Sequence, residues 1–155
     1  MGDSKNPYFS HMFIAEDVRP SVESLFSSMP PTMGDALGIE FTWLAKDAVK
    51  ARMPVDHRTH QPMGLLHGGA SVALAETVAS VGAWLNVHES GKTAVGLEIN
   101  ANHLRAVRSG WVEAVATPVH KGATTQVWSV EIRTEDGKLV CVSRCTLAVI
   151  SRPGS

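Results

Sequence analysis

Residues 68–87 read GGASVALAETVASVGAWLNV, the longest stretch of the chain with neither a proline nor the alternation typical of a strand. We predict one long central helix over these residues. Eleven of the twenty are Gly, Ala, Ser or Thr, which let another backbone approach closely. The helix is therefore expected to be wrapped by a sheet. Five polar side chains make it a poor membrane span: Ser71, Glu76, Thr77, Ser80 and Asn86.

The sequence after this helix has a period of two. Apolar residues alternate with other residues over 95–100 and again over 127–132, which is typical of half-buried strands. Breaks fall at 108–110, 121–123 and 136–137, and we expect the glycines of the last two to adopt a positive φ. Four antiparallel strands are therefore predicted to follow the helix.

The sequence before the helix predicts shorter elements. Residues 1–17 show no clear period and are expected to form a loose leader. Ser21 is predicted to cap a short helix that ends near Met29, in front of two prolines. Two short strands and a loop then lead to the central helix, at 39–44, 48–53 and 54–66.

This order of elements predicts an α+β fold in which the long helix packs against one face of an antiparallel sheet. At 155 residues and 16.6 kDa the chain has the size of a single domain. We place that domain at 34–150, between a leader with its short helix at 1–33 and a tail at 151–155.

The composition excludes several classes of protein. A formal net charge of −1 provides no general attraction to nucleic acid or to a membrane surface, so neither is expected as a partner. Cys141 and Cys145 lie on a predicted strand about 13 Å apart, which is too far for a disulfide. No secretory signal is visible, and a cytoplasmic location is expected.

Glu76 is the only Asp, Glu, Lys or Arg between Arg58 and Glu89. A carboxylate in such apolar surroundings is costly to keep charged unless something pairs with it or uses it. On this pattern alone, a functional role and a structural pairing with a backbone amide or an arginine both stay open.

His67-Gly68-Gly69 stands at the start of the helix, where the first amides have no partner within the helix and the dipole is positive. Gly68 lets a substrate approach the backbone closely. This arrangement suits an oxygen that develops negative charge, as in acyl transfer.

The spacing of these groups has a consequence for assembly. Gly68 and Glu76 are eight residues apart, which is about 12 Å along a helix, so they cannot both contact one carbonyl group. If both act on the same bond, two copies of the helix must run antiparallel across a two-fold axis. A homodimer is therefore predicted as the minimum active unit.

Three motifs lie close together: Gln61, His67-Gly68-Gly69 and Leu74-Ala75-Glu76. The stretches that hold and follow them, MPVDHRTHQPMGLLHGGASVALAE and GLEINANHLRAVRSG, resemble the hotdog-fold acyl-CoA thioesterases. The likeness covers about residues 34–150 and is greatest to the branch that contains 1,4-dihydroxy-2-naphthoyl-CoA hydrolase and the proofreading thioesterase of enterobactin synthesis. It implies a helix wrapped by a curved sheet, dimers that pair into tetramers, and hydrolysis of a thioester to an acid and free CoA.

The resemblance also implies roles for individual residues. Glu76 would be the catalytic carboxylate, as nucleophile or as general base. The Gly68 N–H would hold the thioester oxygen, and the Gln61 amide would orient the acyl carbonyl or the water. His67 would position the substrate or assist product release, and Ser80 would lie near the acyl group.

Further residues are candidates for substrate contacts. His103 and Arg105, two apart on one face of a predicted strand, and Thr124 after a turn are expected to reach the CoA phosphates. A solvated basic edge is an equally open interpretation of all three. Met63 and Trp84 are candidates for the border of the acyl pocket.

No metal or separate cofactor is predicted, since CoA is part of the substrate. His57, His60 and His67 are close in sequence but lack further ligands. The leading hypothesis is a cytoplasmic thioesterase for an aromatic, menaquinone-type or medium-length acyl-CoA. The alternatives are a proofreading thioesterase for acyl groups on a carrier protein and a hotdog protein that binds acyl-CoA without hydrolysing it.

Overall fold

A computed structural model describes residues 11–152 of the chain. The elements before the long helix are β1 (Phe13–Ile14), α1 (Arg19–Ser28), α2 (Met33–Leu37), β2 (Glu40–Ala45) and β3 (Ala48–Pro54). The long helix α3 (Gly68–Val87) continues into a 3₁₀ turn at His88–Ser90. Four strands follow, which are β4 (Lys92–His103), β5 (Trp111–Lys121), β6 (Thr125–Thr134) and β7 (Leu139–Ser151).

All strands belong to one sheet in the order β1-β2-β3-β5-β6-β7-β4. Every neighbouring pair is antiparallel except β1 and β2. Helix α3 packs against β3 to β7 on one face of this sheet. The predicted α+β architecture, with a long central helix and four antiparallel strands after it, is confirmed.

Helix α3 has the bounds that the sequence predicts, Gly68–Val87. Its buried residues include Leu74, Ala75, Val78 and Ala79, which are fully enclosed. By length and composition Gly68–Ser90 is apolar enough to cross a membrane, but 56% of its most apolar window is buried inside the fold. It is the core helix of the sheet.

One contact explains why small residues are needed on α3. The indole ring of Trp128 on β6 is fully buried and lies directly over Gly82. A Cβ atom on Gly82 would approach the ring carbons to 2.6 Å. The ring cannot easily move aside, because its Nε1–H donates a buried hydrogen bond of 2.9 Å to Gln126 Oε1.

We expect Gly82→Ala to destabilise the fold. Because a contact of 2.6 Å is far too short, the added methyl overpacks the core at the upper end of the usual range, at a cost of about 2–3 kcal/mol. Alanine's better helix propensity offsets about 1 kcal/mol of this. The free energy of unfolding from urea denaturation should fall by about 1–2 kcal/mol. Gly34→Ala in α2 is the matched control, because its added Cβ would meet only ordinary contacts at 3.4 Å or more. Equal stability of wild type and Gly82→Ala would contradict the packing argument.

Residues 11–17 differ from the predicted loose leader. Strand β1 pairs in parallel with β2, with Phe13 opposite Trp43 and Ile14 opposite Leu44. Ile14 is buried in the main core. A strand of two residues is too short to show a period, so the sequence carried no signal for it. The rest of the predicted leader, 1–10, lies outside the described residues.

The prediction that Ser21 caps α1 is wrong. The helix begins at Arg19 with Val18 in the cap position, and no side chain caps it. The Ser21 hydroxyl is instead engaged with the His88 imidazole, 2.6 Å from its Nε2. This contact joins residues 67 positions apart, so local sequence rules cannot anticipate it.

The turns between strands follow the predicted breaks with one difference. Gly137 has a φ of +83°, as predicted, and Gly110 also has a positive φ, of +85°. The φ of Gly122, in contrast, is not positive, so this part of the prediction is wrong. A glycine is needed there for space, because a Cβ would lie 2.8 Å from the Thr125 carbonyl oxygen.

Candidate active site

The loop between β3 and α3 is held to the fold by a buried threonine. Thr59 is 2% exposed, and its Oγ1 donates to the Pro54 carbonyl oxygen at 2.7 Å. Its own carbonyl accepts from the His67 N–H at 2.8 Å, directly before α3. Thr59 therefore sets the position at which the helix begins. Thr59 was not predicted from the sequence, because one threonine in a polar loop carries no special signal.

His67 is the N-cap of α3. Its Nδ1 accepts a hydrogen bond of 2.8 Å from the Gly69 N–H. Its carbonyl oxygen accepts from the N–H groups of Ala70 and Ser71 at 3.0 and 3.3 Å. The Gly68 N–H, in contrast, has no acceptor within residues 11–152. One amide at the positive end of the helix is thus left for a ligand.

A cavity of about 360 Å³ lies beside this helix end. Gln61, Gly68, Ser71, His103 and Arg105 are among the residues that line it. Four of the predicted site residues are therefore brought together, although Gln61 and Arg105 are 44 positions apart in the chain.

Gln61 presents its side-chain amide as a donor. Its Oε1 accepts a short hydrogen bond from the Met63 N–H. Its backbone is fixed as well, since its N–H donates to Leu65 at 2.8 Å and its carbonyl accepts from Gly64 at 2.9 Å. With Oε1 occupied, the free end of the amide is the Nε2 group, which can only donate.

His103 lies against Gly68. A Cβ on Gly68 would come within 2.8 Å of the His103 Nε2, so glycine leaves room for the imidazole at the helix start. Strand β4 ends at His103, so the prediction that His103 and Arg105 share one face of a strand is wrong. Both nevertheless line the cavity.

Glu76 lies two turns further along α3 and does not line this cavity. It is half-buried, and its Oε1 packs against the backbone of β4, 2.5 Å from where a Cβ on Gly96 would be. The pairing of β4 with β7 shifts register between Gly96 and Glu98, next to this contact. Gly96 was not predicted from the sequence, although a lone glycine inside a strand often indicates a bulge or a close approach.

Strand β4, which supports Glu76, is at the edge of the sheet. It pairs with β7 on one side, and no strand of the described chain covers the other. Val95 and Leu97 are 42% and 62% exposed there. An edge strand of 12 residues with exposed apolar side chains is a template for pairing with another chain.

The other predicted site residues lie apart from the cavity. Ser80 is half-buried on α3, one turn after Glu76, and Thr124 is exposed in the turn between β5 and β6. Met63 is 76% exposed in the loop before α3. Trp84, a candidate for the acyl pocket, lines a separate groove beside α1.

The histidines of the loop do not form a recognisable metal site. His60 Nε2 is hydrogen-bonded to the Arg108 carbonyl oxygen at 2.9 Å, and His67 caps the helix. His57 lies at the surface beside Asp56. Over 11–152 there is no group of three or more His, Cys, Asp or Glu side chains that could hold a metal ion.

Cys141 and Cys145 are both free and buried on β7, which confirms that they do not bridge each other. Burial, together with the nearby charges of Glu76 and Glu98, raises the pKa of the Cys145 thiol to about 11. Burial also raises the pKa of Cys141. Both thiols are therefore protonated and inert at neutral pH.

We expect native Cys145 to resist alkylation by iodoacetamide up to about pH 10. The unfolded thiol ionises near the ordinary value of 9.0, whereas the folded one does so near 11. Cys145 therefore contributes fully to the free energy of unfolding below pH 9, and this contribution is lost as the pH rises towards 11. Mass spectrometry of the native protein and of the protein in urea checks this. Rapid modification of native Cys145 at pH 8 would contradict it.

Comparison with known proteins gives a consistent result. Residues 63–141 match the family model described as the thioesterase superfamily. The 1,4-dihydroxy-2-naphthoyl-CoA hydrolase of Escherichia coli is 48% identical over 130 residues, which cover 84% of this chain and 95% of that protein. The proofreading thioesterase EntH of Cronobacter turicensis is 47% identical over 130 residues, covering 84% and 94% of the two chains.

Solved structures agree with this. The crystal structure of a thioesterase from Haemophilus influenzae superposes with a TM-score of 0.77 at 52% sequence identity. The match covers 88% of this chain and 94% of that one.

Proposed function

This chain belongs to the thioesterase superfamily and has the hotdog fold, and on that premise we propose that it hydrolyses an aromatic or medium-length acyl-CoA to the free acid and CoA. The observation that carries the proposal is the Gly68 N–H, unpaired within the described chain and facing a cavity that Gln61 also lines. We place the enzyme in the cytoplasm, where CoA thioesters are made and used.

The helix start supplies the electrophilic half of the site. In the transition state, negative charge develops on the thioester oxygen, and a fixed amide at the positive end of a helix stabilises that charge. The Gly68 N–H is the donor in this proposal. The Gln61 Nε2 group is a second donor and orients the acyl carbonyl or the attacking water. His67 keeps the Gly68 amide in place, because it caps the helix through Gly69.

Glu76 supplies the other half of the reaction. Its carboxylate either attacks the acyl carbon, so that an anhydride forms and CoA leaves as a thiolate, or removes a proton from the water that attacks. The contact with Gly96 holds the carboxylate on one side. Both routes end with the acid, the free thiol and the regenerated carboxylate.

The two halves come together in a homodimer. Within one chain Gly68 and Glu76 are about 12 Å apart along α3, and the carboxylate does not line the cavity. Antiparallel pairing of the free β4 edge with its copy would join two sheets and bring the two α3 helices side by side across a two-fold axis. The Gly68 of one protomer would then face the Glu76 of its partner. Two such dimers then pair into a tetramer.

The charge and exposure of nearby side chains indicate which residues contact the CoA end of the substrate and which contact the acyl end. Arg105 lines the cavity and offers positive charge for the CoA phosphates, while His103 beside it and Thr124 are further polar contacts. Ser80 and Met63 border the acyl group in this arrangement. Ser80 follows Glu76 by one turn, and Met63 projects from the loop before α3.

The substrate class is tested by the release of free thiol from a panel of CoA esters. Benzoyl, naphthoyl and phenylacetyl esters are compared with straight-chain esters of two to sixteen carbons. We expect the highest kcat/KM for an aromatic or medium-length acyl group. A maximum for acetyl-CoA or for the longest chain would contradict the proposed substrate class but not the thioesterase activity.

A second candidate is hydrolysis of acyl groups carried by a protein. It is favoured by the similarity to the proofreading thioesterase from Cronobacter turicensis. Comparison of kcat/KM for one acyl group attached to CoA and to a carrier protein separates the two candidates. A higher value for the carrier-bound group would favour proofreading.

A further inference from the structure

A second cavity of about 360 Å³ lies between α1 and the C-terminal end of α3. Ser21, Ser24, Trp84, His88 and Arg152 are among its lining residues. None of the residues that line it also lines the cavity at Gly68. It is therefore a separate site in the described chain, and the thioesterase reaction makes no use of it.

His88 is hydrogen-bonded through both ring nitrogens. Its Nδ1 lies 3.0 Å from the Trp84 carbonyl oxygen, and its Nε2 lies 2.6 Å from the Ser21 Oγ. A carbonyl oxygen can only accept, so Nδ1 carries the hydrogen. In the neutral imidazole Nε2 then holds a lone pair, and the Ser21 hydroxyl donates to it.

The orientation of the imidazole is fixed by its surroundings. The Trp84 ring stacks on it, with centroids 4.2 Å apart and an angle of 21° between the planes. The backbone N–H of His88 also donates to Trp84 at the end of α3. Ser21 lies in the first turn of α1 and is half-buried. A hydroxyl, a base bonded to it and a group that orients the base are the three parts of an activated serine.

We propose that Ser21 is a reactive nucleophile, that His88 is its general base, and that this cavity is a second hydrolytic site for small carboxylic esters. Arg152 lines the same cavity. The proposal does not depend on the thioesterase site.

The reaction balances with water as the second reactant. Ser21 Oγ bonds to the ester carbonyl carbon while its proton passes to His88 Nε2. The carbon–oxygen bond to the alcohol breaks, and the alcohol leaves with that proton. Water then attacks the acyl-serine, His88 takes a proton from it, and the acid leaves as the proton returns to Ser21.

The competing explanation is that the Ser21–His88 contact only ties α1 to α3. In that case Ser21 would react no faster than other surface serines. A fluorophosphonate probe distinguishes the two explanations, because it reacts covalently with activated serines.

The experiment uses the full chain with Glu76→Gln, so that thioester chemistry does not contribute. We expect one label per chain, located on Ser21 by peptide mass spectrometry, and slow hydrolysis of p-nitrophenyl acetate. Ser21→Ala should abolish the labelling, and His88→Gln should slow it at least tenfold. Ser24→Ala is the matched control and should label as before. Ser24 lines the same cavity, while both ring nitrogens of His88 are bonded elsewhere.

Several results would overturn the proposal: no labelling of Ser21, labelling at an unchanged rate in His88→Gln, or equal labelling of Ser21 and Ser24. The fold of His88→Gln is checked separately, in a chain that keeps Glu76. Loss of labelling supports the proposal when that chain hydrolyses thioesters normally. A failure of this proposal leaves the thioesterase assignment untouched, because Ser21→Ala is expected to hydrolyse acyl-CoA at the wild-type rate.

Discussion

Replacement of Glu76 by glutamine is expected to lower kcat for acyl-CoA hydrolysis by about 10²- to 10⁴-fold. Glutamine has nearly the same shape, so the packing against Gly96 is retained. What is lost is the charged oxygen that attacks the acyl carbon or accepts the proton of water. KM should change little, because Glu76 does not line the cavity that holds the proposed CoA contacts, His103 and Arg105.

Thiol release at saturating substrate measures this effect. Glu89→Gln is the control, since Glu89 is an exposed carboxylate just after α3 that pairs only with the surface Lys46 among its described contacts. It should retain full activity. If Glu76→Gln hydrolysed a panel of aryl- and acyl-CoAs as fast as the wild type, the proposed role of this residue would be refuted.

The second large effect is the rescue of two defective variants by each other. In the proposed dimer, each site takes Gln61 from one protomer and Glu76 from its partner. A heterodimer of Gln61→Ala and Glu76→Gln then contains one intact site and one doubly defective site. Random pairing makes half of the dimers heterodimers, so the mixture should regain about a quarter of the wild-type rate.

The measurement uses the two variants co-expressed with different affinity tags and compared with each variant alone. If each site used both residues from a single chain, no heterodimer would contain an intact site, and the mixture would show only the mean of its parents. Sedimentation that found a fully active monomer would also exclude the shared site. Heterodimers isolated by both tags should have about half of the wild-type rate.

Several features of the fold could be predicted from the sequence because they depend on local periodicity. The bounds of α3 follow from a long run that lacks both proline and alternation. The strands after it follow from the period of two and from the breaks between them. Strand β1 and helix α2 were not predicted, because they have only two and five residues and so contain less than two full periods of a strand or a helix.

Some residues of the candidate site could likewise be predicted from the sequence, and others could not. Residue type and spacing were enough to single out Glu76, Gly68 and His67, whereas Gln61 came from the resemblance to the hotdog-fold thioesterases. They did not reveal Thr59, which holds the loop in front of α3. Nor did they reveal that His67 serves as the helix cap.

Three features follow from the order of residues alone: the long helix, its amide-bearing start and the lone acid two turns along it. The folded chain was needed to reveal that Glu76 packs on Gly96, that β4 is an edge of the sheet of described residues, and that Ser21 contacts His88. The reason is physical: periodicity is set by neighbours within a few residues, whereas these contacts depend on the order of strands in the sheet. That order places β4 beyond β7 instead of beside β5, and it results from the packing of the whole core.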